Sequence, residues 1–225
     1  MKLISIVGSP HGEKGSTSKL MKEVLKGAES MGAVNETILL KGDTVAPCRG
    51  CDVCHVKGVC VQKDRFHEIV QKISSADGVI LGSPNYIFSV SAQLKAFMDR
   101  CCGIIHCQSF MGKYGVSVVT SGGGDEGPIA QFMNHFLITT GIVPVGSVWA
   151  TMGLIGEGAF PDDIQQKAFD LGRRLVAAWT EKTVEQDVQQ EMNGFHDRMK
   201  WLMTYRKADW PFEYNYWVTH HGLRG

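Results

Sequence analysis

The sequence predicts an α/β fold, in which a five-stranded parallel β-sheet carries helices on both faces. Short apolar, β-branched segments alternate with segments of helical periodicity from the N-terminus to residue 181. Each apolar run ends in a loop that contains glycine, serine or proline, as is typical of strands buried on both faces. This alternation favours parallel strands joined by right-handed crossover helices.

Five strands and five main helices follow from this pattern. The predicted strands are residues 3–7, 35–41, 78–82, 115–120 and 145–150, and the predicted helices are residues 19–31, 66–75, 91–100, 128–140 and 161–181. Pro161 followed by two aspartates is typical of a helix N-terminus. Five strands connected in this way fit the flavodoxin-like order 2-1-3-4-5, which is a three-layer sandwich.

Composition changes near residue 183, so we predict one domain over residues 1–182 and an extension over residues 183–225. The extension begins with a polar helical pattern, and aromatic residues with little helical pattern follow. These aromatic residues are Trp210, Phe212, Tyr214, Tyr216 and Trp217. Because so short a segment cannot form a core of its own, we expect it to pack on the main domain or on a neighbouring subunit.

Composition also limits the classes of function. Hydrophobic residues make up 44% of the 225 residues, which is enough for a sizeable core. Lys plus Arg and Asp plus Glu each number 23, and this balance argues against binding to nucleic acid or to an anionic membrane. No apolar run is long enough to span a bilayer or to form the core of a signal peptide. We therefore expect a cytoplasmic protein whose seven cysteines are ligands or buried thiols, not disulfides.

In a sheet of this order, ligands bind beyond the carboxyl ends of the strands, near the point between strands one and three where strand order reverses. The loop after strand one, residues 9–18, combines glycines and hydroxyls but lacks both the P-loop and the dinucleotide-binding patterns. It suits a terminal phosphate such as that of FMN, although its hydroxyls also suit simple helix capping. The candidate residues are Ser9, His11, Ser16, Thr17 and Ser18.

Two further loops would complete a flavin site. The loop after strand three offers an aromatic and apolar wall for a flat ring, and the loop after strand four has glycines that let backbone approach a ligand. An ordinary turn and a flexible surface loop are the alternatives. The candidates are Pro84, Asn85, Tyr86, Ile87 and Phe88 in the first of these loops, and Ser121, Gly122, Gly123, Gly124 and Asp125 in the second.

Four cysteines lie together between residues 47 and 64 with the spacing C-x2-C-x2-C-x5-C, namely Cys48, Cys51, Cys54 and Cys60. Closely spaced thiolates let one loop surround an iron–sulfur cube, and no second set of four is present. A single [4Fe–4S] cluster is therefore predicted. A zinc site that includes His55, and free or redox-active thiols, are the alternatives. We expect Cys101, Cys102 and Cys107 to be buried apolar side chains, since a thiol nucleophile would need a base such as His106.

Several of these segments resemble the NADPH-dependent FMN reductase superfamily. They are Gly8-Ser9-Pro10 with Gly15-Ser16-Thr17, residues 76–86 (ADGVILGSPNY) and residues 90–100 (VSAQLKAFMDR). Residues 48–54 (CRGCDVC) followed by Cys60 resemble the cysteine motif of the iron–sulfur flavoproteins. His11 replaces a common Arg, and Ser16 a common Asn. The resemblance implies a homodimer or homotetramer, with the cluster of one subunit close to the FMN of another.

The expected function is that of an FMN- and [4Fe–4S]-containing oxidoreductase that couples two-electron flavin chemistry to one-electron transfer. The donor would be NAD(P)H or a ferredoxin-like carrier, and the acceptor a carrier or a small molecule. No acid–base pair stands out in the sequence. Two alternatives remain: an FMN dehydrogenase specific for a small ring acid, and a non-catalytic, flavin-binding electron carrier with structural zinc.

Overall fold

The computed structural model describes residues 1–42, 44–155 and 159–223. Its sheet has five parallel strands in the order β2-β1-β3-β4-β5, which confirms the predicted topology. The strands are β1 (Lys2–Val7), β2 (Val34–Leu39), β3 (Gly78–Pro84), β4 (Tyr114–Ser121) and β5 (Val143–Thr151).

In the part of the chain that the structure describes, all five predicted helices are present, together with four short α-helices and the 20-residue α9 of the extension. The helices are α1 (Ser16–Ser30), α2 (Val53–Lys57), α3 (Phe66–Ser74), α4 (Ala92–Asp99), α5 (Cys102–Cys107), α6 (Glu126–Thr140), α7 (Met152–Ile155), α8 (Asp162–Glu181), α9 (Gln186–Tyr205) and α10 (Pro211–His220). Helix α1 begins at Ser16 instead of residue 19, because Gly15 is its extended N-cap and its first turn is polar. Within the described ranges, no helix combines the length and apolar character that crossing a bilayer requires.

Strand residues alternate between two apolar cores, one on each face of the sheet. Along β1, Ile4 and Ile6 enter the core that α3, α4 and α6 cover, whereas Leu3 and Val7 enter the core that α1 and α8 cover. Every residue of β3 and of β4 is buried, as expected for central strands of a parallel sheet. The strands are therefore held rigidly, and their carboxyl ends form a fixed edge.

Helices α1 and α8 approach each other closely because glycines face the contact. A Cβ atom on Gly172 would overlap the carbonyl oxygen of Val24 and would lie 2.7 Å from the amide nitrogen of Ala28. A Cβ atom on Gly27 would likewise overlap the carbonyl group of Phe169. Both glycines are buried, so surrounding atoms would resist any shift of the helices that made room for a side chain at either position.

The aromatic segment of the extension is helical, which corrects the expectation that it has little helical pattern. In α10, Glu213 and Trp217 are four residues apart, so both lie on the inner face, where neither is exposed to solvent. Helices α9 and α10 build a third, small apolar cluster around Phe195, Met199 and Met203. The extension therefore has a small core, which corrects the expectation that it has none of its own. The two helices also pack on α2, α5 and α6 of the same chain.

We predict that Gly172→Ala lowers the free energy of unfolding by about 1–3 kcal/mol, because the added methyl group forces α1 and α8 apart. Gly194→Ala is the matched control, since Gly194 lies in the exposed interior of α9 with no atom within 4 Å of an added Cβ. That control should raise stability by about 0.5–1 kcal/mol. Urea denaturation of both variants measures the difference, and equal midpoints would contradict the proposed clash.

Candidate functional site

The three predicted loops meet at the carboxyl edge of the sheet, around a cavity of about 170 Å³. Its lining residues are Ser9, His11, Ser16, Thr17, Pro84, Asn85, Tyr86, Thr120, Ser121, Gly122 and Met152. A larger cavity of about 720 Å³ lies between edge strand β5 and α8, on the outside of the sheet. The smaller cavity is the one at the point where strand order reverses, so we take it as the candidate site.

In the loop after β1, some hydroxyl groups hold the loop in place through hydrogen bonds, and others line the cavity. The hydroxyl of Thr17 is hydrogen-bonded to that of Thr120 at 2.7 Å, which joins this loop to β4. Ser18 donates to the carbonyl oxygen of Gly12 at 2.6 Å and does not line the cavity. Ser9, His11 and Ser16 remain directed to the cavity wall. Ser18 therefore supports the loop and is not placed to contact a ligand in the cavity.

Lys41 is a cation beside this loop that the sequence analysis missed. A Cβ atom on Gly12 would lie 2.9 Å from the Nζ atom of Lys41, so the ammonium group covers the loop at this point. Lys41 lies two residues after the end of β2, and β2 pairs with β1, so strand order is the signal that could have identified it. The side chain places a positive charge beside loop residues suited to a phosphate.

Asn85 connects the second loop to the third and leaves an acceptor free. Its backbone N–H donates to the carbonyl oxygen of Thr120 at 2.7 Å, and its side-chain amide donates to that of Gly124 at 2.9 Å. Its Oδ1 atom is buried and has no hydrogen-bond partner among the described residues. A buried acceptor without a donor is costly, so a ligand that carries an N–H group would satisfy it.

Ile87 and Phe88 form the tip of the second loop and do not line the cavity. Tyr86 and Ser89 exchange backbone hydrogen bonds of 2.9 and 3.3 Å across the turn. The two tip residues then take left-handed φ angles of 49° and 58°, and they are 90% and 76% exposed. Left-handed backbone at a β-branched residue is strained, and such strain often marks a functional loop. Of the residues predicted to form a ring wall, Pro84, Asn85 and Tyr86 line the cavity in this chain.

The third loop depends on a buried carboxylate that the sequence analysis also missed. Ser121 donates to Glu126, accepts from the amide of Gly124 at 2.8 Å, and shares the carboxylate with Thr151, which donates at 2.6 Å. Burial raises the pKa of Glu126, but these hydrogen bonds outweigh it and leave the pKa below its usual value. Ser121 and Gly122 line the cavity, whereas Gly123, Gly124 and Asp125 do not.

The four-cysteine segment starts beyond β2, at the same edge of the sheet. Cys48 and Cys51 are exposed, Cys54 and Cys60 are half-buried, and none forms a disulfide. Left-handed backbone at Gly50, Asp52 and Gly58 makes the tight bends that the spacing requires. The amide of Gly50 donates to the Sγ atom of Cys48 at 3.4 Å, a contact that favours a thiolate.

Arg100, which follows the last residue of α4, contacts both ends of the cysteine segment. Its fully buried guanidinium forms an ion pair with Asp64, donates to the carbonyl oxygen of Ala46 at 3.3 Å, and donates to the Sγ atom of Cys60 at 3.2 Å. Burial raises the pKa of Asp64, yet the hydrogen bonds from Arg100 and from the amides of Ala46 and Phe66 bring it below its usual value. Arg100 therefore joins both ends of the segment and brings a positive charge to one thiol.

The four sulfur atoms suit a multi-iron cluster better than a single ion. Around one zinc ion, ligand sulfurs lie about 3.8 Å apart, since Zn–S bonds are about 2.3 Å long in a tetrahedral site. Among the described residues, no three of the four cysteines bring their sulfur atoms within 4.8 Å of one another. Soft thiolates that bind separate irons in a cube need no such close approach.

The remaining cysteines divide into two kinds. Cys101 and Cys107 are buried, as predicted, whereas Cys102 is half-buried and its Sγ atom lies 3.9 Å from the Nε2 atom of His106. Burial, with a smaller contribution from Cys54, raises the pKa of Cys102 to about 12, so the free thiol is protonated at neutral pH. A ligand atom of His55 lies within 4.8 Å of those of Cys102 and His106, and His55 forms no such three-residue group with the four clustered cysteines among the described residues.

Known proteins share both the fold and the sequence features of this chain. The profile of the NADPH-dependent FMN reductase family matches residues 1–155. An iron–sulfur flavoprotein of Archaeoglobus fulgidus is 33% identical over 220 residues, which cover 94% of this chain and 97% of the relative. One from Methanocaldococcus jannaschii is 38% identical over 187 residues, which cover 78% and 96%.

Solved structures support the fold independently. The apo form of the NADH:FMN oxidoreductase EMOB aligns with a TM-score of 0.59 at 19% identity, over 83% of this chain and 92% of that one. A flavodoxin-like WrbA-like protein of Agrobacterium tumefaciens aligns with a TM-score of 0.55 at 16% identity, over 81% and 99%. The chain therefore belongs to the NADPH-dependent FMN reductase family and, within it, to the iron–sulfur flavoproteins, which makes it a flavin-dependent oxidoreductase.

Proposed function

We propose that this protein binds FMN and one [4Fe–4S] cluster and couples two-electron flavin chemistry to one-electron transfer. One observation carries the proposal: the three loops of the cavity and the four-cysteine segment leave the same edge of one parallel sheet. The names of the similar archaeal proteins agree with it. When both groups are bound, the flavin accepts electrons in pairs and the cluster exchanges them singly.

In this proposal the cavity residues hold FMN by its two ends. Ser9, Ser16 and Thr17 would contact the phosphate, with Lys41 and His11 as the nearby cationic or polar groups. The free Oδ1 atom of Asn85 would accept from an N–H group of the pyrimidine edge, and Tyr86 would cover the ring. The remaining predicted contacts, Ser18, Ile87, Phe88, Gly123, Gly124 and Asp125, would support these loops or act in a neighbouring subunit.

Cys48, Cys51, Cys54 and Cys60 would bind the cluster. Four thiolates concentrate negative charge, and the guanidinium of Arg100 at Cys60 together with the Gly50 amide at Cys48 would offset part of it. Burial first, and then the nearby Glu213 carboxylate, raises the pKa of the Cys54 thiol. Iron binding must therefore displace the proton at Cys54, which a metal ion does readily.

The electron donor would be NAD(P)H or a ferredoxin-like carrier in the cytoplasm, and the acceptor a carrier or a small molecule. We further propose a domain over residues 1–182, an extension over residues 183–225, and a homodimer or homotetramer. The loop tip formed by Ile87 and Phe88 favours oligomerisation, because two exposed apolar side chains are stabilised when another subunit covers them. No described residue of the extension lines the cavity, which argues against a ring-acid dehydrogenase whose extension closes a selective pocket.

A visible spectrum of protein purified without oxygen tests this function. Flavin bands with a broad additional absorbance that dithionite bleaches, together with iron and sulfide in equal amounts, are expected. Stopped-flow mixing with NADH or NADPH then shows whether a nicotinamide reduces the flavin directly. Yellow, iron-free protein with stoichiometric zinc would contradict the electron-transfer proposal and favour the structural-zinc alternative.

We predict that Cys51→Ser removes iron and acid-labile sulfide while FMN content stays the same. Cys51 is exposed and far along the chain from the cavity loops, so the change should disturb neither packing nor flavin binding. Cys101→Ala is the control, because this thiol is buried in the core and belongs to no proposed ligand set. Iron, sulfide and flavin analysis of the three proteins measures the result, and unchanged iron in Cys51→Ser would refute the ligand assignment.

We predict that Ser16→Ala weakens FMN binding by about tenfold or more, since a hydrogen bond to a charged group contributes about 1.5–3 kcal/mol. Riboflavin, which lacks the phosphate, should bind Ser16→Ala and wild type equally. Ser30→Ala at the opposite end of α1 is the control, because its hydroxyl donates only to the Gly27 carbonyl. Fluorescence titration of apoprotein with both flavins separates the cases, and a parallel loss of riboflavin affinity would exclude a phosphate contact.

A further inference from the structure

A second group of metal-binding side chains lies beside the four-cysteine segment and belongs to neither site described above. It consists of His55 from α2 and of Cys102 and His106 from α5, and one ligand atom of each lies within 4.8 Å of the others. Cys102 and His106 are four residues apart, so they lie on the same side of α5. Cys102 is not one of the four clustered cysteines, and the FMN cavity includes none of the three residues.

A buried carboxylate of the extension orients both imidazole rings. Glu213 in α10 is fully buried, and its two oxygens accept from the Nδ1 atoms of His55 at 2.8 Å and His106 at 3.0 Å. Because a carboxylate only accepts, each Nδ1 atom carries a proton, and the Nε2 atom of a neutral ring is then free to bind a metal. Histidine ligands commonly have such a carboxylate partner.

Trp210 holds the two rings in place from one side. Its ring stacks on those of His55 and His106, with centroids 4.5 and 4.7 Å away, and the guanidinium of Arg206 lies 4.7 Å from the Trp210 ring. Both imidazoles thus lie side by side on one aromatic face. Rings fixed in this way lose little freedom when they bind an ion, which favours affinity.

Charge at this position also favours a cation. The Glu213 side chain is fully buried, and its two oxygens are hydrogen-bonded to the two histidine Nδ1 atoms. In addition, an oxygen of Asp52 lies 3.7 Å from the Nε2 atom of His55. A divalent ion at the group would lie near both acidic side chains and leave a fourth position for Asp52 or for water.

We propose that His55, Cys102 and His106 form a mononuclear site for a divalent transition metal of the zinc type, with Glu213 as the carboxylate that positions both histidines. Two imidazoles and one thiolate suit zinc and its cobalt substitute better than magnesium or calcium. The site would connect α2, which carries Cys54, to the extension. Residues 183–223 would then stabilise the cysteine segment through a bound ion as well as through packing.

Cobalt titration of iron-replete, FMN-loaded protein under anaerobic conditions tests this proposal. One Co²⁺ ion per chain is expected to bind with a thiolate-to-cobalt charge-transfer band, and Zn²⁺ should displace it. Cys102→Ser should abolish the band, His106→Gln should weaken binding, and Glu213→Gln should weaken it by about 10–100-fold without removing the band. Cys107→Ala on the same helix and His135→Gln on α6 are the matched controls, and both should bind as wild type does.

Two further measurements separate this site from the iron–sulfur cluster. The part of the cobalt band that Cys102→Ser removes should be the same size in a Cys51→Ser background, whatever becomes of the iron there, so the outcome does not depend on the proposed function. Iron content should be unchanged in Cys102→Ser. Absence of cobalt binding in wild type, a band that survives Cys102→Ser, or loss of iron from folded Cys102→Ser would each overturn the proposal.

Discussion

The parallel pairing of β1 with β2 on one side and β3 on the other is the constraint on which both candidate sites depend. Parallel strands deliver all their carboxyl ends to one edge, and the reversal of direction at β1 separates the loops there into a cleft. The cavity lies in that cleft, and the four-cysteine segment begins one strand away. Because β3 and β4 are buried along their whole length, the loops that follow them leave the sheet from fixed positions.

The cysteine segment buries few apolar side chains of its own, since Val56, Val59 and Val61 are exposed, and contacts with other elements order it. Arg100 joins its two ends through Asp64 and Ala46, and Phe212 of α10 packs so closely on Gly58 that an added Cβ would overlap the ring. In the proposed function the cysteines of this segment bind a cluster, and side chains that bind metal are not available to form a core. The helix α4 and the extension supply the packing that the segment lacks.

The extension thereby links two parts of the molecule that are distant in sequence. Glu213 contacts His55 and His106, and Trp217 donates to the carbonyl oxygen of His106 at 2.7 Å. These contacts bury a carboxylate and an indole N–H, both of which need partners once water is removed. The aromatic composition of the extension thus serves specific polar contacts in the chain itself, beyond general apolar packing.

Periodicity and turn residues in the sequence were sufficient for the strands, the main helices, the three cavity loops and the cysteine motif, because each is a local pattern with a single period or spacing. The alternation of strands with helices then favoured the strand order. Contacts between distant residues were not predictable in this way. Lys41 at Gly12, Arg100 at Cys60 and Glu213 between two histidines carry no local signal, since each is an ordinary charged residue on its own element. Only the tertiary structure decides which charged group meets which partner, because that pairing depends on how the elements pack and not on the order of residues within them.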